Sequence, residues 1–186
     1  RRRRQASREQ RAGPHDLLMR ITVENAGPDE ATLHILPTLW FRNTWAWGPT
    51  DHGKPKLRGE DGHVVGQHDR AGRLVLSGDG APDLLFCENE TNTTRLFDDP
   101  VGVRFPKDGI NDHVVNGAAS VNPALHGTKA ALHYRVTVSA GRSQVIRVRL
   151  VGGTGLSCGL CVAPGRGPRP EARLRTLASG RQASAA

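Results

Sequence analysis

What this chain lacks closes off several classes of protein. Cysteine occurs only three times: Cys87 lies in an apolar run, and Cys158 and Cys161 form a lone C-x-x-C. That pair has neither the two further ligands of a structural zinc site nor the strand-to-helix context of a redox motif. No apolar run approaches the roughly 20 residues that span a bilayer. The opening residues also lack the apolar core of a secretory signal. A soluble, cytoplasmic protein is therefore expected, in which the sequons at Asn89 and Asn92 carry no sugar. Equally absent are a phosphate-binding G-x-x-x-x-G-K-[ST] loop, a G-x-S-x-G nucleophile elbow and an H-E-x-x-H helix motif. No cofactor is expected.

Acidic residues are outnumbered, yet the formal charge of +8 is unevenly placed. Residues 1–11 carry +5 and residues 151–186 carry +4, which leaves −1 for the middle. A nucleic-acid binder concentrates basic charge on a folded face. Here the surplus sits in ends that show no apolar periodicity, so specific nucleic-acid binding is not expected. Both ends read as disordered, because Gly-, Pro- and Arg-rich composition buries too little apolar surface to offset ordering entropy. A short helical turn over residues 171–177 would not stand alone. The expected organisation is a tail over 1–11, a β-sandwich domain over 12–150, and a second tail over 151–186.

Within the middle, the period is two. Leu17, Met19, Ile21 and Val23 alternate with Leu18, Arg20, Thr22 and Glu24, which turns one apolar face inward. Leu33, Ile35, Leu39 and Phe41 continue the pattern around Pro37, which cannot donate to a ladder. Further strands are expected over residues 73–77 and 84–89. The clearest pair is Ala130 to Val138 and Gln144 to Leu150, which reads as a hairpin across the turn at 139–142. No helical period is sustained. The polar stretches 48–72 and 91–127 read as long loops. The fold class is all-β, an antiparallel sandwich.

All three tryptophans fall within LHILPTLWFRNTWAWG, at Trp40, Trp45 and Trp47, beside Arg42 and Asn43. A flat apolar ring next to planar polar groups suits a sugar, and it equally suits a core or an interface.

Several ordered phrases now align with a known pattern: LHILPTLWFRNTWAWG, PDLLFCENETN, KDGINDHVVNG, VNPALHGTKAALHYRVTVSAG and VIRVRL. From about Ala12 to Leu150 the chain resembles the N-terminal β-sandwich domain of bacterial glycoside hydrolases of family 63, relatives of the processing α-glucosidases. The resemblance implies that the sandwich is part of a larger one. It also implies a partner: a barrel of paired α-helices that supplies an aspartic acid as general acid and a glutamic acid as general base. Nothing in this chain looks like that barrel, and the basic ends replace what the family has there. The chain is expected to be a fragment, inactive alone, that supports or lines the barrel's active site. The residues assigned to substrate binding or to the barrel interface are Trp40, Arg42, Asn43, Trp45, Trp47, Lys107, Asp108, Asn111 and Asp112. The alternative is a free-standing carbohydrate-binding module in which Trp45 and Trp47 stack on an oligosaccharide.

The remaining candidates read as structural. Glu88 and Glu90, two apart on an expected strand, match the spacing of a glycosidase acid pair, but neighbouring acids on one face usually make a solvated surface. Asp98 and Asp99 suit turns and caps. Asp108, Asn111, Asp112 and Asn116 supply oxygens that calcium prefers, without the EF-hand spacing, and a structural loop is favoured. His34, His52, His63, His68, His113 and His133 form no ligand pattern, and no metal is expected.

Overall fold

In the computed structural model, residues 3–48 and 53–152 are described. The strands are β1 (Arg3–Gly13), β2 (Asp16–Asn25), β3 (Ala31–Ile35), β4 (Thr38–Trp40), β5 (Lys56–Glu60), β6 (His63–His68), β7 (Gly72–Gly78), β8 (Asp83–Cys87), β9 (His126–Gly127), β10 (Lys129–Val138) and β11 (Ser143–Gly152). A single 3-10 turn covers Trp45–Trp47, and two short helices follow β8: α1 (Thr93–Phe97) and α2 (Gly109–Asn116). The larger sheet runs β1-β2-β11-β7-β6-β5-β9. In the smaller one, β10 lies between β8 and the pair β3 and β4. Every pairing is antiparallel. The fold is an all-β sandwich.

The alternation read from the sequence makes the core. Leu17, Ile21 and Val23 of β2 and Ile146, Val148 and Leu150 of β11 face Ile35, Leu39, Phe86, Leu132 and Val136 of the smaller sheet. A second cluster lies on the other side of that sheet, where Ile110 of α2 covers Leu85, Cys87 and Ala131. The helix therefore forms a partial third layer. Cys87 is buried there, and that burial pushes its thiol up to about 11, so it stays protonated and inert at neutral pH.

β3 and β4 are one edge strand in one register, with Ile35 opposite Tyr134 and Trp40 opposite Lys129. Pro37 interrupts it because it has no N–H to give; its carbonyl still accepts from the Leu132 N–H at 2.9 Å. Across the proline, the Thr38 hydroxyl donates to the Leu36 carbonyl at 2.7 Å.

Four expectations are corrected. The Arg-rich opening is not a free tail: Arg3–Gly13 forms β1 and pairs along the whole of β2, from Arg3 opposite Asn25 to Gly13 opposite Asp16. Ladder bonds to a well-buried neighbour order a segment whose own composition would not. The last two strands are not a hairpin, since β10 lies in the smaller sheet and β11 in the larger. Their connection crosses between sheets because Asn25 holds it: its Nδ2 donates to the Val138 carbonyl at 2.8 Å, and its backbone bonds Gly141 and Arg142. Stretch 48–72 contains the hairpin β5–β6, turned by Asp61 and Gly62 at φ 51° and 77°, the signs a type I′ turn requires. Finally, α2 occupies most of the KDGINDHVVNG segment, closed by Gly117 at φ 67° donating to the Asp112 and His113 carbonyls. The expected C-terminal tail beyond residue 152, its helical turn, Cys158, Cys161 and His52 lie outside the described residues.

Candidate functional site

Three loops converge beyond the end of β8. Residues 41–46 leave β4, residues 88–93 leave β8, and residues 99–107 join α1 to α2. Two asparagines clamp the first two together: Asn43 Nδ2 donates to the Asn89 carbonyl at 2.9 Å, and Asn89 Nδ2 donates to the Phe41 carbonyl at 2.8 Å. The third is tied on by backbone bonds, Glu88 N–H to Phe105 O at 2.7 Å and Lys107 N–H to Glu90 O at 2.9 Å. Lys129 adds a bond from its Nζ to the Lys107 carbonyl at 2.8 Å. Between the loops lies a cleft of about 550 Å³, lined by Arg42, Asn43, Asn89, Glu90, Asp99 and Lys107 among others. That size falls within the range of small-ligand sites.

The structure thus brings Lys107 into one cleft with Arg42 and Asn43, which are distant from it in sequence. The other assigned residues are elsewhere. Trp45 packs against the core, and its indole N–H donates to Glu90 Oε1 at 3.2 Å. Trp45 is thus half-buried, with part of its ring against the core. Trp40 is the exposed one, at 55 %. The side chain of Trp47 lies outside the described residues. Asn43 itself is held in the loop clamp, with its Oδ1 accepting the Ala46 N–H at 3.1 Å.

Asp108 and Asp112 do not form a cation site. Arg95 NH1 lies 3.2 Å from a carboxylate oxygen of each, and Asn92 Nδ2 donates to both oxygens of Asp108 at 3.0 and 3.2 Å. The guanidinium supplies the positive charge that calcium would have brought. Asn111 only reaches Asp112, at 3.4 Å. Asn92 also caps α1, accepting the Arg95 N–H.

Glu88 and Glu90 lie just beyond β8 and are held by a residue the sequence did not single out. Lys54 Nζ sits 2.9 Å from Glu88 Oε2 and 2.7 Å from Glu90 Oε1. Thr128, itself buried, donates its hydroxyl to Glu88 Oε2 at 2.9 Å and accepts the Asn89 N–H at 2.7 Å. Partial burial works to raise the Glu90 carboxyl, but the hydrogen bonds from Lys54 and Trp45 outweigh it and hold the group below its usual range. Burial likewise works against the Lys54 ammonium, and its bonds to Glu90 and Glu88 hold it above its usual value. Asp99 is lowered by the Val101 N–H and the Thr93 hydroxyl. A carboxylic general acid needs a raised pKa, and Glu90 and Asp99 are tuned the other way.

The linkage gives a pH prediction. Glu90 is depressed, so its contribution to stability is present above the ordinary 4.5 and is lost as pH falls through its lower folded value. Lys54 is raised, so its contribution is present below 10.5 and is lost as pH rises through its higher folded value. Lys54→Met is expected to flatten both flanks of the stability–pH curve. At neutral pH it should cost only about 0.5–1 kcal/mol, since Lys54 is 46 % exposed and screened by solvent. Denaturant melts from pH 3 to 11 would check this; steep flanks surviving in the variant would refute it.

The histidines take structural places. His34 Nδ1 and His133 Nε2 share a hydrogen bond of 2.7 Å with their rings stacked. Burial and the neighbouring His34 lower the His133 pKa. His68 stacks on Phe41 with centroids 4.6 Å apart and accepts the Arg70 and Ala71 N–H groups. Among the described residues no group of His, Cys, Asp and Glu could hold a metal, and no helix is long and apolar enough to cross a membrane.

No family model matches the chain. It is similar to an uncharacterized protein of Saccharomyces cerevisiae, 30 % identical over 165 residues that cover 73 % of this chain and 15 % of that protein. The chain therefore spans well under a fifth of the length of the relative it matches.

Proposed function

We propose that this chain is the non-catalytic β-sandwich domain of a glycoside hydrolase of the family 63 type, docking against a helical barrel that carries the catalytic carboxylates. One observation carries the reading: the segment from α1 through α2 exposes Leu96 at 60 %, Phe97 at 72 %, Val101 at 87 % and Val115 at 68 %. Four large exposed apolar side chains within one segment of about twenty residues are what a contact with another protein surface would cover. They frame the same loops whose phrases resemble the family, and a barrel face is the occupant that the resemblance implies. The pairing of the carboxylates accords with a domain that turns nothing over by itself, because Glu88 and Glu90 share Lys54 and Asp108 and Asp112 share Arg95.

The purified chain is expected to hydrolyse no α-glucoside alone and to form a soluble complex when co-expressed with a family 63 helical barrel. Phe97→Glu should weaken that complex by about tenfold or more, since a charge is forced into an apolar contact. Hydrolysis by the chain alone, abolished by Glu90→Gln, would overturn the reading, and so would failure of any such barrel to bind.

A further inference from the structure

We propose that His34 and His133 form a proton-operated clasp between β3 and β10, closed at neutral pH and opened in mild acid, so that the β3 part of the edge strand loosens as protons bind. The clasp lies wholly within this chain and stands apart from barrel docking.

Its action follows from how two imidazoles share a bond. A neutral ring has one N–H and one lone pair. His34 Nδ1 and His133 Nε2 lie 2.7 Å apart, so one donates and the other accepts. One added proton leaves that bond in place, because a ring that gains it still faces a lone pair on the other. A second puts two N–H groups and two like charges at the same contact, and the bond is lost. Closed, the pair therefore holds at most one added proton; open, each ring holds its own. Opening takes up a proton, and acid drives it.

The surroundings favour that outcome. The His133 side chain is only 12 % exposed, whereas His34 is exposed at the sheet edge and has solvent to move into. Arg135 of β10 stands directly opposite His34 and brings a like charge, not a compensating one. On α2, His113 also acts against a cation at His133. Asp83 of β8, directly opposite His133, is the opposing group, but its Oδ2 is 3.8 Å from Nδ1 and its side chain is 83 % exposed, so solvent screens it. Burial first, then His34 and His113, hold the His133 pKa below 6.5 in spite of Asp83. A depressed histidine contributes stability that is present above its ordinary value and is lost as pH falls through the lower folded value. The next tie between the same strands, the hydroxyls of Thr32 and Thr137 at 2.9 Å, has no proton to gain in this range.

The test is amide hydrogen exchange of the full chain between about pH 7.5 and 5, above the range where carboxylates protonate, with β11 as the internal reference. Protection over residues 31–35 is expected to fall by about tenfold or more across that range, since an opening that takes up one proton gains tenfold for each pH unit. Residues 146–150 should hold theirs. In His34→Gln the fall should shrink to about twofold or less, because the amide carries a donor and an acceptor and no charge, and can bond His133 in either protonation state. Thr32→Val should lower protection and keep the pH dependence. Nitrogen-detected titration of the histidine rings should show the pair taking up its two protons in separate steps. The proposal is overturned by protection over residues 31–35 that is flat with pH, by the same fall in His34→Gln, by an equal fall over residues 146–150, or by two rings that titrate independently near the ordinary value.

Discussion

Replacing Phe86 by alanine is expected to remove about 3–5 kcal/mol of folding stability, the usual cost of emptying a fully enclosed aromatic site. Phe86 is 0 % exposed and lies on β8, on the face turned to the larger sheet. Its backbone is tied down along with its ring: the carbonyl accepts the Asn122 N–H at 2.8 Å, and the residue stands opposite Ala130 of β10. Domains of this size hold roughly 5–15 kcal/mol in total. The variant should therefore unfold at markedly lower denaturant concentration, and a loss under about 1 kcal/mol would mean that the sandwich core is not packed as described.

The second large effect is expected at Gly127. A side chain there has no room: its Cβ would collide with the Cys87 carbonyl oxygen and sit 2.9 Å from the carbonyl carbon. The obstacle is backbone, which cannot rotate aside. Gly127→Ala must push β9 away from β8 and lengthen the Thr128 N–H bond to the Cys87 carbonyl, 3.1 Å in the native chain. Overpacking of this kind costs about 1–3 kcal/mol. The damage should also travel along the polar chain, because Thr128 supports both Glu88 and the Asn89 N–H. Equilibrium unfolding together with amide hydrogen exchange at residues 87–90 would measure it. Unchanged exchange there would show that β9 yields without disturbing the cleft.

What could be read from the sequence was what neighbouring residues dictate. The alternation in residues 17–24, 130–138 and 144–150 located β2, β10 and β11 to within a residue or two, because each strand buries its own period-two face. The partners of those strands were less legible. The turn at 139–142 looks like a hairpin until Asn25, more than a hundred residues away, is seen to hold it between the sheets. β1 was unreadable for the same reason, since its order comes from β2. Other signals were present and passed over: Asp61-Gly62 is a hairpin turn, and Ile110 and Val114 ahead of Gly117 outline the short helix α2.

The candidate site divides along the same line. Arg42 and Asn43 were picked by residue type and Lys107 with the loop that carries the resemblance, and the three share a cleft. Trp45 was picked by residue type too and is half-buried against the core; nothing in residue type tells an indole that stacks on a ligand from one that closes a core. Lys54 escaped notice since its meaning depends on two carboxylates on another strand's end.

The Thr38 hydroxyl bonded to the Leu36 carbonyl bears on how the molecule behaves in a crowded solution. Pro37 directs its carbonyl to β10, so by the alternation of an antiparallel ladder the Leu36 carbonyl points away from the sheet, towards open solvent. Outward carbonyls on an edge strand are the acceptors to which a stray strand from another molecule first adds. Here the acceptor is already occupied by the same chain, and the proline next to it interrupts the ladder. Around residues 36–38 the edge strand that ends in the exposed Trp40 is thus a poor template for a stray strand.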